Sequence, residues 1–201
     1  LTTAKKVVAT LKTKHKIVFH VSCVGLLQTT VSLMKMIAKE KPMLVIQIGI
    51  AGSFKTNIKL GKVVVVQKDT IIDGVEENGE WKDLFDMKWI AANASPFNKK
   101  WLPNNGMKNF EFPKNSCVTG ITVTEITTNA KRVEQLVAKY NPAIESMEGA
   151  ALHYVCSDAQ VCFLQLRAIS NYVGERDKSK WLIKESLDNL SNSLLAILQA
   201  V

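Results

Sequence analysis

Residues 143–171 constrain the fold of this chain more than any other stretch of its sequence. They predict a strand, a helix and a second strand. Apolar residues lead up to Glu148, recur at helical spacing from Ala151 to Cys156, and then dominate residues 161–169. Strands that alternate with helices in this way favour a parallel sheet with helices on its faces. We therefore expect an α/β protein.

Polar side chains lie at or near the ends of both predicted strands. Met147 ends the first predicted strand and Glu148 follows it, whereas Arg167, Ser170 and Asn171 lie in the last part of the second. Ligands of such sheets bind beyond the carboxyl ends of the strands, and a guanidinium or a carboxylate is costly to bury without a partner. We therefore predict that these residues form part of a ligand site.

A second candidate for ligand contact is the segment GIAGSF at residues 49–54, which follows an apolar strand predicted at 43–48. Glycines directly after a buried strand allow a tight turn and let a ligand approach backbone N–H groups. We include Ala51 and Gly52 in the predicted site. The same pattern taken alone is equally typical of a structural turn.

Together, GIAGSF, SMEGA at 146–150 and LRAISN at 166–171 resemble the purine nucleoside phosphorylase and nucleosidase superfamily. In that superfamily an (E)-M-E-(A/G) strand end and an R-A-I-S-(D/N) strand end build one nucleoside pocket. The resemblance extends from about Val18 to the end of the chain. Within the superfamily, RAISNYVGERD is most similar to the futalosine hydrolases, whereas methylthioadenosine/S-adenosylhomocysteine nucleosidases carry Asp after the Ser.

The resemblance implies a role for each residue of the predicted site. Glu148 would accept hydrogen bonds from the ribose 2′- and 3′-hydroxyls, Met147 would contact the sugar, and Arg167 would help to hold the attacking water near C1′. The further substrate-binding residues are Ala51, Gly52, Thr124, Ile126 and Ser170. Two structural alternatives stay open: Glu148 stabilises a helix N-terminus, and Arg167 forms an internal ion pair.

Asn171 is the position that informs on the base of the nucleoside. An Asp there can accept a hydrogen bond from the 6-amino group of adenine, whereas an Asn amide has a fixed donor and a fixed acceptor. Its NH₂ can donate to a 6-oxo group while its oxygen accepts from N7–H as the base leaves. We therefore predict a 6-oxopurine substrate, with Glu148, Arg167 and Asn171 as catalytic residues.

The resemblance also implies a nucleoside phosphorylase-like fold: one three-layer domain with a mainly parallel, twisted central sheet flanked by helices. No linker or internal repeat divides residues 1–201, so a single domain is expected.

Nucleosidases of this superfamily carry a Glu on their first strand as general base. Strands are predicted at 6–11 and 16–22, yet the first Glu of the chain is Glu40. We expect that the family's first strand is missing, which leaves the general base unassigned.

Two further segments bear on the protein surface. A helix is predicted at 25–39. The residues on its predicted core-facing side are Leu27, Val31, Met34 and Ala38.

Residues 73–116 lack periodicity and hold many aromatic side chains. Long irregular segments of this kind are usually functional or mobile. In the resembled superfamily the corresponding region covers part of the pocket and meets a neighbouring subunit. A plain surface excursion is the alternative.

Net charge, apolar runs and cysteine spacing indicate which further partners to expect. The net charge is +8, but no basic block is longer than a Lys-Lys pair, so nucleic acid is not predicted as a partner. No apolar run approaches the roughly 20 residues that span a bilayer, so no membrane association is expected. The four cysteines lack metal-ligand spacing, so we expect free thiols in the cytoplasm, no metal and no cofactor. We also expect a homo-oligomer, because the aromatic side chains of 73–116 leave apolar surface to cover.

The leading hypothesis is N-glycosidic hydrolysis of a 6-oxopurine nucleoside, and the resemblance implies futalosine, of menaquinone biosynthesis, as the substrate. A purine nucleoside phosphorylase and a methylthioadenosine/S-adenosylhomocysteine nucleosidase are the alternatives with the same fold. The small number of arginines, three in all, counts against the first, and Asn171 counts against the second. A non-catalytic nucleoside-binding protein is the alternative of a different class.

Overall fold

The computed structural model describes residues 15–199, in which four α-helices and nine strands are formed. The helices are α1 (Leu26–Glu40), α2 (Ala130–Tyr140), α3 (Gly149–Asp158) and α4 (Ile183–Gln199). The strands are β1 (Leu44–Ser53), β2 (Val63–Asp69), β3 (Ile71–Ile72), β4 (Gly74–Glu77), β5 (Glu80–Asp83), β6 (Leu102–Pro103), β7 (Cys117–Val123), β8 (Ile144–Ser146) and β9 (Cys162–Tyr172). The strand, helix and strand predicted for 143–171 are present as β8, α3 and β9.

Seven of these strands form one sheet that closes on itself. Its order is β3-β7-β8-β1-β9-β2-β6, and an additional pairing joins β2 to β7. The pairs β1–β9, β7–β8, β3–β7 and β2–β7 are parallel, whereas β1–β8, β2–β9 and β2–β6 are antiparallel. The α/β class is confirmed, but the mainly parallel sheet is corrected to a mixed, barrel-like one. An apolar run buried on both faces has the same composition in either direction, so its pattern does not report strand polarity.

Alternate residues of the strands pack on the two faces of this sheet. Val64 and Val66 belong to one buried cluster with Ile144 and Ile169, whereas the intervening Val65 packs in a cluster with Leu190 of α4. Full burial of such a side chain stabilises the fold by about 1.5–3 kcal/mol. The packed sheet therefore gives a rigid frame to the ends of β1, β8 and β9.

Helix α1 is present where it was predicted, but it turns a different face to the core. Thr29 and Leu33 are its buried residues, and Met36 and Ile37 pack against the same cluster as Leu33. The residues predicted to face the core are instead exposed: Leu27, Val31, Met34 and Ala38. The helix carries two apolar stripes, and helical spacing alone does not show which of them meets the core.

The segments outside the sheet differ from prediction in part. The strand predicted at 16–22 is wrong, since these residues are irregular and no described strand pairs with them. The strand predicted at 6–11 lies outside the described residues. Residues 73–116 contain β4, β5, β6 and two short 3₁₀ helices, and they bury Phe85 and Phe97 while Trp89 is exposed. No helix within 15–199 is both long enough and apolar enough to cross a membrane.

Candidate functional site

A cavity of about 370 Å³ lies against β1, β8 and β9 and collects most of the predicted site. Eight of the nine predicted site residues line it: Ala51, Gly52, Ile126, Met147, Glu148, Arg167, Ser170 and Asn171. Thr124 instead lines a neighbouring cavity of about 470 Å³, which shares Val123 and Ile126 with the first. No residue of 73–116 belongs to the described wall of the first cavity. The functional role of each wall residue stays a prediction.

Glu148 and Arg167 form an ion pair in the cavity wall. Nη1 of Arg167 donates to Oε2 of Glu148 at 3.2 Å, Nη2 donates to Oε1 of Gln47 at 2.6 Å, and the Gly25 N–H donates to Oε1 of Glu148 at 3.2 Å. The Arg167 side chain is 3% exposed and that of Glu148 is 16% exposed. Desolvation lowers the pKa of Arg167, and the negative charges of Glu148 and Asp69 act against this shift. The pair thus holds a carboxylate in a fixed orientation at the cavity.

Two glycines leave space for Arg167 of this pair and for the buried polar side chains behind it. A Cβ atom at Gly49 would overlap Nη1 of Arg167, so a side chain there would displace the guanidinium. A Cβ atom at Gly149 would overlap Oδ2 of Asp69 and Nε2 of Gln165. These glycines of GIAGSF and SMEGA are therefore required for close packing around the ion pair.

Asp69 is a fully buried carboxyl group beneath the start of α3. Its Oδ1 accepts from the Thr70 N–H at 2.8 Å and from the Thr122 hydroxyl at 2.9 Å, and that hydroxyl accepts from the Ala150 N–H at 2.7 Å. Burial raises the pKa of Asp69 to about 6, although the Thr122 hydrogen bond and the Arg167 charge favour its ionised form. This network fixes the first turn of α3, and Glu148 immediately precedes that turn.

Asn171 lies near the end of β9 and is 8% exposed. Its Oδ1 accepts from the Ser170 hydroxyl at 2.8 Å, and its Nδ2 donates to the Tyr172 carbonyl at 3.0 Å. Asn171 is paired with Gly52 of β1, and a Cβ atom at Gly52 would lie 3.3 Å from Nδ2. An amide oxygen has two lone pairs and an amide nitrogen two hydrogens, so each atom keeps one position for a ligand.

Several residues of the cavity wall were not predicted from the sequence. Glu145 is the most informative, because it is a buried carboxyl group whose Oε1 accepts from the Thr127 N–H at 3.2 Å. Burial raises the pKa of Glu145. Its place two residues before Met147 could have located it, since side chains at i and i+2 of a strand share a face. The other missed wall residues, which carry no comparable signal, include Ser22, Cys23, Val24, Gln47 and Trp181.

The polar groups of the wall suit a ligand that carries hydroxyl and N–H donors. The charged residues of the wall are Glu145, Glu148 and Arg167, and the guanidinium already has two side-chain partners. Within 15–199 no group of three or more His, Cys, Asp or Glu side chains is arranged to hold a metal ion. Carboxylates that accept from hydroxyl or N–H groups and an amide that can both donate and accept are therefore the groups offered to a ligand.

Comparison with known proteins places this chain in a family. The sequence model of the phosphorylase superfamily matches residues 4–201. The chain belongs to the phosphorylase superfamily. Futalosine hydrolase of Thermus thermophilus is 33% identical over 79 residues, which are 39% of this chain and 35% of that protein. Futalosine hydrolase of Streptomyces coelicolor is 35% identical over 77 residues, which are 38% of this chain and 33% of that protein. The similar segment thus spans about a third of these relatives.

Solved structures of the superfamily share the fold over most of the chain. Futalosine hydrolase of Helicobacter pylori has a TM-score of 0.72 at 18% identity, covering 90% of this chain and 78% of that one. A mutant of the H. pylori methylthioadenosine/S-adenosylhomocysteine nucleosidase, with 5′-methylthioadenosine in its active site, has a TM-score of 0.73 at 19% identity and the same coverage. The predicted nucleoside phosphorylase-like fold is thereby confirmed.

Proposed function

We propose that the protein hydrolyses the N-glycosidic bond of a 6-oxopurine nucleoside, with futalosine as its substrate. The products would be hypoxanthine and dehypoxanthine futalosine, in menaquinone biosynthesis. The observation that carries the proposal is Asn171, an amide in the wall of the same cavity as the Glu148–Arg167 pair. The local similarity to two futalosine hydrolases supports the same substrate.

The proposed reaction uses the wall residues to stabilise charge. The C1′–N9 bond breaks, its electron pair moves to the base, and positive charge develops on the ribosyl ring. Glu148 accepts from the ribose hydroxyls and opposes the developing charge, while Arg167 holds its carboxylate in place. Asn171 accepts from the protonated N7 of the departing base. Water then bonds to C1′, and the proton that it loses balances the one that the departing base takes up at N7. We assign no general base for this step.

Phosphorolysis fits the cavity less well than hydrolysis. A phosphate needs several free donors, and charge-assisted contacts from arginine are the usual ones. The described wall contains Arg167 as its cation, and that guanidinium already donates to Glu148 and Gln47. The two carboxylates Glu145 and Glu148 would also repel phosphate.

The test is release of free base from matched nucleosides. We expect the purified protein to release hypoxanthine from futalosine at the same rate in phosphate-free and phosphate-containing buffer, and to leave methylthioadenosine largely uncleaved. Liquid chromatography of the base measures both. Release that requires phosphate would identify a phosphorylase, and faster cleavage of methylthioadenosine would identify the other nucleosidase class. Binding without release would identify a non-catalytic nucleoside-binding protein.

We also propose that the chain forms a homo-oligomer through α1. Val24, just before α1, and Leu27 and Met34 on it are exposed apolar residues, with 70%, 74% and 57% of each residue accessible. Light scattering is expected to give a multiple of 22.3 kDa, and Leu27→Glu should lower that mass. Trp89→Glu, at a 64% exposed residue of 73–116, tests the surface that the sequence favoured for self-association, and under the present proposal it should not change the mass. A wild-type mass equal to one chain would contradict the proposal.

A cytoplasmic location is proposed on the state of the thiols. All four cysteines, Cys23, Cys117, Cys156 and Cys162, are free. Free thiols persist in reducing compartments, whereas secreted proteins tend to pair them.

A further inference from the structure

Glu145 has an oxygen that the fold does not satisfy. Glu145 is 6% exposed and lines the same cavity as Asn171. Oε1 accepts from the Thr127 N–H at 3.2 Å, whereas Oε2 is buried and has no hydrogen-bond partner within the described residues. A buried acceptor without a donor destabilises a protein, and such groups usually have a partner. An N–H group of a bound ligand would supply that donor.

Glu145 and Asn171 flank one glycine in the sheet. Gly52 of β1 is paired with Glu145 of β8 on one side and with Asn171 of β9 on the other. A Cβ atom at Gly52 would lie 3.7 Å from Cγ of Glu145 and 3.3 Å from Nδ2 of Asn171, so the two side chains border the same space. Adjacent strands are about 4.8 Å apart, which separates the two outer Cα atoms by about 10 Å. Cγ2 of Val173 lies 3.2 Å from the same Cβ position and covers Gly52, so the slot is the part of the cavity wall that lies between these two polar groups.

A planar purine fits the chemistry of this slot. The edge of a 6-oxopurine presents an N1–H donor next to the O6 acceptor, with N7 beyond it. Adenine presents an N1 acceptor and a 6-amino donor instead. An ionised carboxylate only accepts hydrogen bonds, whereas the Asn171 amide can both donate and accept. A carboxylate on one side and an amide on the other therefore match a 6-oxopurine, and the carboxylate repels the N1 lone pair of adenine.

We infer that Glu145 is a specificity-determining residue, whose Oε2 accepts a hydrogen bond from the N1–H of a 6-oxopurine while Asn171 contacts O6 and N7. The inference rests on the proposed function for the substrate class. The Thr127 N–H occupies Oε1, which leaves Oε2 as the oxygen that can accept from the base. Two groups on opposite sides of the slot then read two neighbouring positions of the same base.

The first arm of the test uses free bases and wild-type protein, so it requires no turnover. Isothermal titration calorimetry is expected to show hypoxanthine binding at least ~10-fold more tightly than adenine or 1-methylhypoxanthine, because both competitors lack the N1–H. Glu145→Ala removes the acceptor and makes room for the methyl group, so it should abolish the preference for hypoxanthine over 1-methylhypoxanthine. Wild-type protein that binds hypoxanthine no better than 1-methylhypoxanthine, or binds neither base, overturns the inference.

The second arm exchanges the acceptor for a donor. In Glu145→Gln the amide oxygen is expected to keep the hydrogen bond from the Thr127 N–H. The NH₂ group then faces position 1 of the base. The ratio of hypoxanthine to adenine affinity should fall by at least ~10-fold. Glu125→Gln makes the same chemical change at an exposed residue of the neighbouring cavity and should leave the ratio unchanged. An unmoved ratio in Glu145→Gln overturns the inference. If the bases bind with the expected preference but no nucleoside is hydrolysed, the proposed function is overturned and the inference about Glu145 is supported.

Discussion

Replacing Glu148 with Gln is expected to lower kcat/KM for the nucleoside by roughly 10²-fold or more. Both neighbours of this carboxylate are donors: the Arg167 guanidinium at Oε2 and the Gly25 N–H at Oε1. A Gln side chain must turn its own NH₂ group towards one of them, which places two donors face to face. The substitution also removes the negative charge that opposes charge on the ribosyl ring. Steady-state kinetics on the folded variant measures the effect.

A second substrate distinguishes an effect of Glu148→Gln on catalysis from an effect on folding. If Glu148 accepts from the ribose hydroxyls, the loss should shrink when 2′,3′-dideoxyinosine replaces inosine for both proteins. Urea denaturation is needed in parallel, because Arg167 is 3% exposed and loses its counter-charge. Glu134→Gln, at an exposed residue of α2, is the control and should leave kcat/KM unchanged. Unchanged kcat/KM in Glu148→Gln would remove this residue from the active site.

The residues that line the cavity were easier to predict from the sequence than the directions of the strands around it. Glu148, Arg167 and Asn171 follow or end apolar runs, and a charged or amide group in that position has few explanations other than a partner or a ligand. The sheet has no comparable signal, because β1–β9 and β2–β9 differ in direction although all three strands are apolar. The connections between strands decide their direction, and these lie in the least regular parts of the chain.

The orientation of α1 and the position of Glu145 could not be predicted from the sequence pattern. Helix α1 has one apolar stripe through Leu33 and another through Leu27 and Met34, and only the packed structure shows that the first meets the core. Glu145 stands within the predicted strand end, but its relation to Asn171 depends on both pairing with Gly52. Strand register of this kind joins residues that are distant in the sequence, so a motif of consecutive residues does not contain it.

Asn171→Asp is expected to reverse the electrostatics of the base slot and to produce the largest change in specificity. In the wild type, Nδ2 donates to the Tyr172 carbonyl at 3.0 Å and keeps its second hydrogen for O6 of the base. An ionised Asp would place an acceptor against that carbonyl and against O6, with no donor between them. Sites that leave such groups unpaired reject a ligand by up to the order of 10⁴-fold. Activity on 6-oxopurine nucleosides should therefore collapse.

The measurement is kcat/KM for 6-oxo and 6-amino nucleosides with the same 5′ group, on both proteins. Asn189→Asp is a matched control, because Asn189 also donates from Nδ2 to a backbone carbonyl, that of Gly61, but lies outside the cavity wall. It should leave the 6-oxo to 6-amino ratio unchanged. A wild type that prefers the 6-amino compound, or an Asn171→Asp ratio equal to that of the wild type, would show that Asn171 does not read the base.

The single variant is not expected to become an efficient adenosine-type nucleosidase. Glu145 would still present an acceptor to the N1 lone pair of adenine, so a mismatch stays buried at the second position of the base. Combining Asn171→Asp with Glu145→Gln removes both mismatches, since a protonated or solvated Asp and a Gln amide can serve N7 and N1 of adenine. We therefore expect more than additive recovery of 6-amino activity in the double variant, because the two residues contact one ligand across Gly52. Additive effects would show that the two sides of the slot act independently.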